Sequence, residues 1–347
     1  MLFRSRRGRG DAAEALLDEI ESLAESTRLD RDPDAARRLL QLRHQAGLRL
    51  MELASGERPE QPAPAFDELA GGSDLPEVAA GDASPELLRA AILRNGCLLL
   101  RGLLDPDEAA TLAEGIDRAY EAREARASDT PTDGAYFDEF EPEPQFELAF
   151  ERAILGTGGS GGLWLLDSPM MTLDVLDAFE RAGLRRLATG YLGERPVLSV
   201  NKSLLRKVSP DLFGDSEEKS GSKPSAWHQD GAFLGDVRAL NVWLSLSRCG
   251  DLAPGLDIVP RRVDHIVPTG TEGAVFEWSA SQAVAEETAG DVGILRPIFE
   301  PGDVLLFDEM FLHSTAAEPD MPSMRYAVES WFFGPSGFPA RYAPLAF

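Results

Sequence analysis

Residues 301–315 read Pro301-Gly-Asp-Val-Leu-Leu-Phe-Asp-Glu-Met-Phe-Leu-His-Ser-Thr315. A Pro-Gly-Asp turn feeds a short apolar run, an acidic break follows, and His313 lies on a second run. Short apolar runs bounded by turn residues signal strands. The same texture extends over the C-terminal half of the chain, in runs at 196–208, 238–247, 256–259, 303–308, 311–316 and 325–333, with Gly, Pro and Asp between them. Several short strands spaced by turns predict a sandwich or barrel. Helical patterns precede this block, so the class is α+β with a jelly-roll core.

Upstream, residues 11–27 and 33–54 repeat apolar side chains at spacings of three and four. Both read as amphipathic helices, a hairpin that serves as a packing or self-association element or as a docking handle for a protein partner. Residues 55–85 are rich in Gly, Pro and acid and read as a linker. The expected division is a helical extension over 1–55, a linker over 56–85 and a main domain over 86–347. Ser84-Pro85-Glu86 is a helix entry, with Asn95-Gly96 as its stop. A strand at 97–102 and a helix from Asp105-Pro106 to about Arg126 follow. A further helix is expected over roughly 172–192. Residues 129–151 are acidic without a base and carry Tyr136, Phe137, Phe140, Phe146 and Phe150. They read as a surface loop, with a lid as the alternative. The run 156–162 resembles a phosphate loop only in its glycines, since the Lys-Ser/Thr that grips phosphate is absent, and it reads as a mobile loop.

The chain has 347 residues, 34 Lys and Arg against 59 Asp and Glu, and a formal charge of −25. So acidic a surface excludes a phosphate-tracking nucleic-acid binder and a protein held on anionic lipid. No apolar run approaches the ~18 residues of a membrane helix. The basic first residues lack the apolar stretch of a signal peptide, so a cytoplasmic protein is expected. Two cysteines, Cys97 and Cys249, make no disulfide framework and read as buried apolar residues. Only four histidines exist, His44, His228, His265 and His313, and any histidine metal site must draw on them. His44 is expected on the surface of its helix.

Trp227-His228-Gln229-Asp230 carries the strongest chemical signal. On a strand, residues two apart point to one face, so an imidazole and a carboxylate project together. They are two of the three ligands of a facial triad, and the third is a histidine brought in by the fold. His313 is the candidate, and His265 is its rival. Two histidines and one carboxylate leave half an octahedron open, which suits non-haem Fe(II) working on O₂. A lone His-x-Asp is also a common surface accident, and His313 on an apolar strand also fits a satisfied core histidine. Arg325 weighs against those readings. It opens the run Arg325-Tyr-Ala-Val-Glu-Ser-Trp-Phe-Phe333, which is apolar on both faces. An arginine is costly there unless it meets a carboxylate, from Glu329 or from an anionic ligand.

Residues of about 86 to 335 resemble the phytanoyl-CoA dioxygenase family of Fe(II)/2-oxoglutarate oxygenases. Trp227-His-Gln-Asp230 is similar to that family's first metal motif, and Pro301-Gly-Asp leading to His313-Ser-Thr315 to its second. The helix–strand–helix opening from 86 to 126 also resembles the family's N-terminal portion. The resemblance implies a double-stranded β-helix with flanking helices. It implies His228, Asp230 and His313 as the Fe(II) ligands and catalytic residues. It implies Arg325 as partner of the far carboxylate of 2-oxoglutarate, with Thr315 assisting. The sequence departs from the family at Gly250 to His265, where the usual Asn-Gly-Pro-Leu and Pro-Gly-Ser-His are missing. That region shapes the substrate side, so the substrate does not transfer by analogy.

Alternation suggests what else lines the cavity. Asn241, Trp243 and Ser245 share one face of their run, and Asn201, Ser203 and Lys207 share one face of theirs. A barrel holding an anionic cosubstrate would turn these faces inward, whereas an open antiparallel sheet would turn them to solvent. Asn241, Trp243 and Lys207 are therefore cofactor-binding candidates, with Arg206 as the alternative to Lys207. The expected activity is hydroxylation of a C–H bond in a small-molecule or carrier-bound substrate, consuming O₂ and 2-oxoglutarate and forming succinate and CO₂. Related halogenases replace the carboxylate ligand with a small residue, and Asp230 is present. The alternatives are a non-catalytic jelly-roll binding module that keeps a metal motif, and a cupin-like metalloenzyme that does not use 2-oxoglutarate.

Overall fold

The computed structural model describes residues 2–54, 57–69, 75–131, 133–143, 145–146, 162–211 and 227–347. Most of the glycine run 156–162, residues 147–151 of the acidic aromatic stretch, and Lys219 and Lys223 lie outside the described residues.

Eight helices are described: α1 Leu2–Asp30, α2 Pro33–Leu53, α3 Pro85–Asn95, α4 Pro106–Ala127, α5 Pro169–Arg181, α6 Leu184–Leu192, α7 Gly231–Leu234 and α8 Gln282–Ala289. Their ends follow local chemistry. The Ser84 hydroxyl accepts from the Leu87 amide to start α3, and Gly96 stops it at φ 82°. Asp105 and Glu108 form a reciprocal capping box at the start of α4. The helix expected over 172–192 is two helices, because Gly183 between them adopts φ 77°.

The strands are β1 Glu77–Ala79, β2 Cys97–Arg101, β3 Gly162–Trp164, β4 Val197–Val208, β5 Ala239–Ser245, β6 Gly255–Ile258, β7 Val304–Phe307, β8 His313–Ala316, β9 Arg325–Phe333 and β10 Pro344–Ala346. The large sheet runs β1-β2-β7-β5-β9-β4-β10, with β3 also paired to β4. Only β1–β2 is parallel among its pairs. β6 and β8 form a second, two-stranded sheet, extended by single bridges from Ile258 to Leu295 and from His313 to His228.

This arrangement explains why strands such as β9 are apolar on both faces. Leu240, Val242, Val328 and Phe332 share one apolar cluster with the helices. Trp243, Phe307, Ala327 and Trp331 share another with Leu256 and Ile258 of the second sheet. Most of both faces is buried, so largely continuous apolar runs replace alternation. The chain is thus a mixed α/β protein with a β-sheet core and helices on one side of it. No helix among the described residues is long and apolar enough to cross a membrane.

Three regions differ from expectation. Residues 77–79 of the stretch read as a linker enter the large sheet as β1. The α1–α2 hairpin shares the helix-side core through Ile20, Leu39, Leu40 and Leu42. His44, expected in solvent, is 1% exposed and donates through Nδ1 to the Pro344 carbonyl of β10 at 2.7 Å. The described part of the acidic stretch also packs inward. Tyr136, Phe137, Phe140 and Phe146 are buried, and Phe140 and Phe146 meet the His44 ring edge-on.

The turn before β7 is held by its own residues. The Asp303 carboxylate accepts from the Gly102 and Glu300 amides at 2.9 Å each and from Arg101 at 2.6 Å. Gly302 sits at φ 93°, where a Cβ would fall 2.0 Å from the Leu104 carbonyl oxygen. Gly302→Ala therefore combines backbone strain with a collision against fixed backbone. It should destabilise the protein by at least about 2 kcal/mol in chemical unfolding; an unchanged midpoint would contradict this account of the turn.

Candidate metal centre

His228 and His313 meet through their backbones. Each amide donates to the other's carbonyl, at 2.9 and 3.1 Å, and the rings lie 4.4 Å apart between centroids. Asp230 joins them by an unexpected route. The extended backbone ends after His228, and Asp230 has φ −63° and ψ −25°, the entry to α7. The carboxylate is thus delivered by a strand-to-helix turn and not by strand alternation. His228, Asp230 and His313 each offer a ligand atom, all within 4.8 Å of one another. Among the described residues, no other group of three His, Cys, Asp or Glu side chains closes in this way.

The surroundings hold these side chains in place. His313 Nδ1 donates to the Phe311 carbonyl at 3.0 Å, which leaves the Nε2 lone pair for a metal. Gln229, 1% exposed, points away and staples the motif to its neighbours. Its amide donates to the His265 and Met310 carbonyls at 3.0 and 2.7 Å and accepts from Val267 at 2.8 Å. Phe307 and Phe311 pack on the His313 ring at 4.8 and 6.0 Å. Burial pushes the Asp230 carboxyl above its ordinary value, opposed by Lys202 and His313, each 4.0 Å from it.

Arg325 lies between the two sheets, 3% exposed. It donates from Nη1 to the Gly255 carbonyl of β6 at 3.0 Å, and its buried Nε has no partner among the described residues. Glu329, the nearest acid along β9, is committed elsewhere: Arg206 holds it at 2.9 Å. No acidic side chain among the described residues forms an ion pair with Arg325. Burial, with Arg206 nearby, pushes its guanidinium down to about 10. More unpaired polar atoms lie on the same face of the sheet: both amide atoms of Asn241, and Nε1 of Trp331, its cross-strand neighbour. Trp243 faces the same layer, its ring 5.7 Å from the Arg325 guanidinium. Thr315 lies on β8 beside Ala316, which pairs with Gly255.

Lys207 is not brought here. A bulge in β4 between Leu198 and Ser203 reverses which face its later residues take. Lys207 therefore turns toward the helices and pairs with Asp117 of α4, and Arg206 faces the site. His265 is exposed and contributes only its carbonyl, to Gln229. Sequence reasoning missed Lys202, which the bulge delivers to Asp230. It also missed Phe233, three residues after Asp230, whose ring lies 4.0 Å beneath the Lys202 ammonium, and Trp278, which meets the His228 ring edge-on at 5.5 Å and carried no signal in the neighbouring sequence.

No protein-family model matches the chain, and no curated protein matches it. Solved structures do. EctD from S. alaskensis with 2-oxoglutarate and 5-hydroxyectoine is 19% identical, covering 81% of this chain and 87% of that one, with a TM-score of 0.46. EvdO2 from Micromonospora carbonacea var. aurantiaca is 15% identical over 78% of this chain and 95% of that one, also at 0.46. The non-haem alpha ketoglutarate dependent carbocyclase SnoK from nogalamycin biosynthesis is 15% identical over 74% and 86%, at 0.44.

The Arg206–Glu329 pair yields a pH prediction. Burial would raise the Glu329 carboxyl, but the Arg206 guanidinium reverses this and holds it down to about 2. A depressed carboxyl contributes stability that is complete above its unfolded value and lost as pH falls toward its folded one. Stability should therefore decline between about pH 4.5 and pH 2, and Glu329→Gln should flatten that limb. Arg206→Ala strands a half-buried carboxylate and should cost about 2 kcal/mol at pH 7. Thermal unfolding across pH checks both, and identical acid limbs in wild type and Glu329→Gln would refute the assignment.

Proposed function

We propose that the chain is an Fe(II)- and 2-oxoglutarate-dependent oxygenase. It hydroxylates a C–H bond of a small-molecule or carrier-bound substrate and is built on a double-stranded β-helix spanning residues 86–347. The observation that carries this reading is Arg325. A guanidinium buried between two sheets without an acid is costly unless an anion reaches it. Its planar fork suits a carboxylate bidentately. The donor set of His228, Asp230 and His313 fits a divalent iron that keeps half of its coordination open. When bound, the iron and 2-oxoglutarate supply the oxidising chemistry.

The protein's own residues bind, orient and exclude water. His228, Asp230 and His313 hold the metal, with Nε2 of His313 presented by the Phe311 carbonyl. Arg325 takes the far carboxylate of the cosubstrate, Thr315 assists, and Trp243 walls that end. Asn241 lines the same layer with a donor and an acceptor that no described residue uses. Glu329 stays out of Arg325's reach because Arg206 neutralises it. Phe307 and Phe311 exclude water behind His313.

Anaerobic addition of Fe(II) and 2-oxoglutarate should produce a weak visible charge-transfer band. His228→Ala, Asp230→Ala and His313→Ala should each abolish that band and succinate formation, because a triad missing one ligand holds iron poorly. His265→Ala should retain both. A dead His265→Ala beside an active His313→Ala would reassign the triad.

Arg325 yields a second test. Arg325→Ala should weaken 2-oxoglutarate use by roughly 2–5 kcal/mol in kcat/KM terms, with Arg325→Lys between. Fe(II) binding should survive. Because the native guanidinium lacks an acid partner, Arg325→Met should not lower the thermal midpoint of the ligand-free protein. A large loss of stability with unchanged 2-oxoglutarate affinity would make Arg325 a structural residue.

A further inference from the structure

The two oxygens of the Asp230 carboxylate face different groups. Oδ2 lies 4.0 Å from Nε2 of His313, on the side of the candidate ligands. Oδ1 lies 4.0 Å from the Lys202 ammonium. The Asp230 side chain makes no capping hydrogen bond to α7 and is 3% exposed, so these are the groups that hold its charge. Lys202 is held in turn. It comes from the bulged stretch of β4 between Leu198 and Ser203, and its ammonium sits 4.0 Å over the ring of Phe233, on α7. Among the described residues no acid other than Asp230 lies within ion-pair distance of it. Glu329 feels its charge but is paired with Arg206. The Lys202 side chain is 23% exposed, so water screens that charge only in part.

An ammonium is an unfavourable neighbour for a bare cation. Neutral imidazoles bring no charge to a metal, and one carboxylate cancels half of the charge of a divalent ion. An ammonium beside that carboxylate restores what the carboxylate cancelled. By Coulomb's law it lowers the affinity for the ion alone and raises the affinity for any anion that shares the ion. We propose that Lys202, held against Asp230 and Phe233, is a specificity-determining residue of this centre: it weakens the grip on a bare divalent ion and favours an ion that carries an anionic co-ligand. The proposal rests on the reading of the metal centre given above, in which 2-oxoglutarate is such an anion. Its test needs neither iron nor 2-oxoglutarate.

The experiment uses Co(II) as the ion and azide as the anion, both followed through the visible bands of Co(II) on the full chain. Lys202→Met keeps the length of the side chain and removes its charge. It should bind Co(II) roughly three- to thirtyfold more tightly than wild type. The Co(II)-loaded variant should bind azide roughly two- to tenfold more weakly. Lys202→Arg, which keeps the charge, should stay near wild type in both. Lys207→Met, on the same strand but turned toward α4 and paired with Asp117, should change neither. Opposite shifts are the signature of charge, since a residue that only supports the fold would weaken both on removal. Parallel losses in Lys202→Met, no change in it, Lys202→Arg behaving like Lys202→Met, or equal shifts in Lys207→Met would each overturn the proposal. The Fe(II)/2-oxoglutarate band is recorded on wild type alongside. A missing band with the opposite shifts intact strikes the oxygenase reading alone, and a normal band without them strikes this proposal alone.

Discussion

Two backbone hydrogen bonds, between His228 and His313, set the geometry on which the rest of the site depends. They join segments far apart in the chain, and the amides and carbonyls involved would otherwise be left unpaired in a crowded interior. Once they form, the two imidazoles have no choice but to lie side by side. The Pro301–Asp303 turn launches β7, and the chain then returns through Asp308–Leu312 to bring His313 onto β8. On the other side, buried Gln229 ties the His228 segment to the loop at 265–267 and to Met310. The candidate triad is therefore a property of three strapped segments and not of any one strand.

A division of charge runs through the layer beneath. Arg206 and Arg325 face the same space between the sheets, with one acid, Glu329, on β9 between them. Glu329 goes to Arg206, which leaves Arg325 with one backbone carbonyl, the Trp243 ring and no acid among the described residues. Without a ligand that is an expensive arrangement, since a buried guanidinium loses its hydration and gains no counter-charge. The same logic applies to Asn241 and Trp331, whose side-chain polar atoms are buried with no partner among the described residues. Binding sites are where proteins tolerate such costs, because the missing partner arrives with the ligand.

Much of this was legible in the residues. The strand runs predicted at 196–208, 238–247, 303–308 and 325–333 correspond to β4, β5, β7 and β9, because turn residues and apolar runs act locally. The caps at Ser84 and Asp105 were equally local. His228, Asp230 and His313 stood out because the chain has so few histidines. The failures were all non-local. Lys207 was assigned to the cavity on strict alternation, and a bulge upstream reversed the face. His44 looked like a surface residue on an amphipathic helix until β10 and two phenyl rings covered it. The acidic stretch looked solvated, yet the described part of it anchors its aromatic rings in the core.

The sequence by itself determined which segments become helices and strands, which residue types are available to hold a metal, and that one arginine must be buried in a strand. Those follow from periodicity, turn chemistry and the cost of burying charge, none of which needs a partner segment. Only the tertiary structure decided that Asp230 reaches the histidines through a turn, that Arg206 and not Lys207 faces the site, that Glu329 is spent on Arg206, and that the Trp278 ring packs on His228. Each of these depends on which distant segment packs opposite. A register shift of one residue changes every such contact and leaves the local pattern almost untouched.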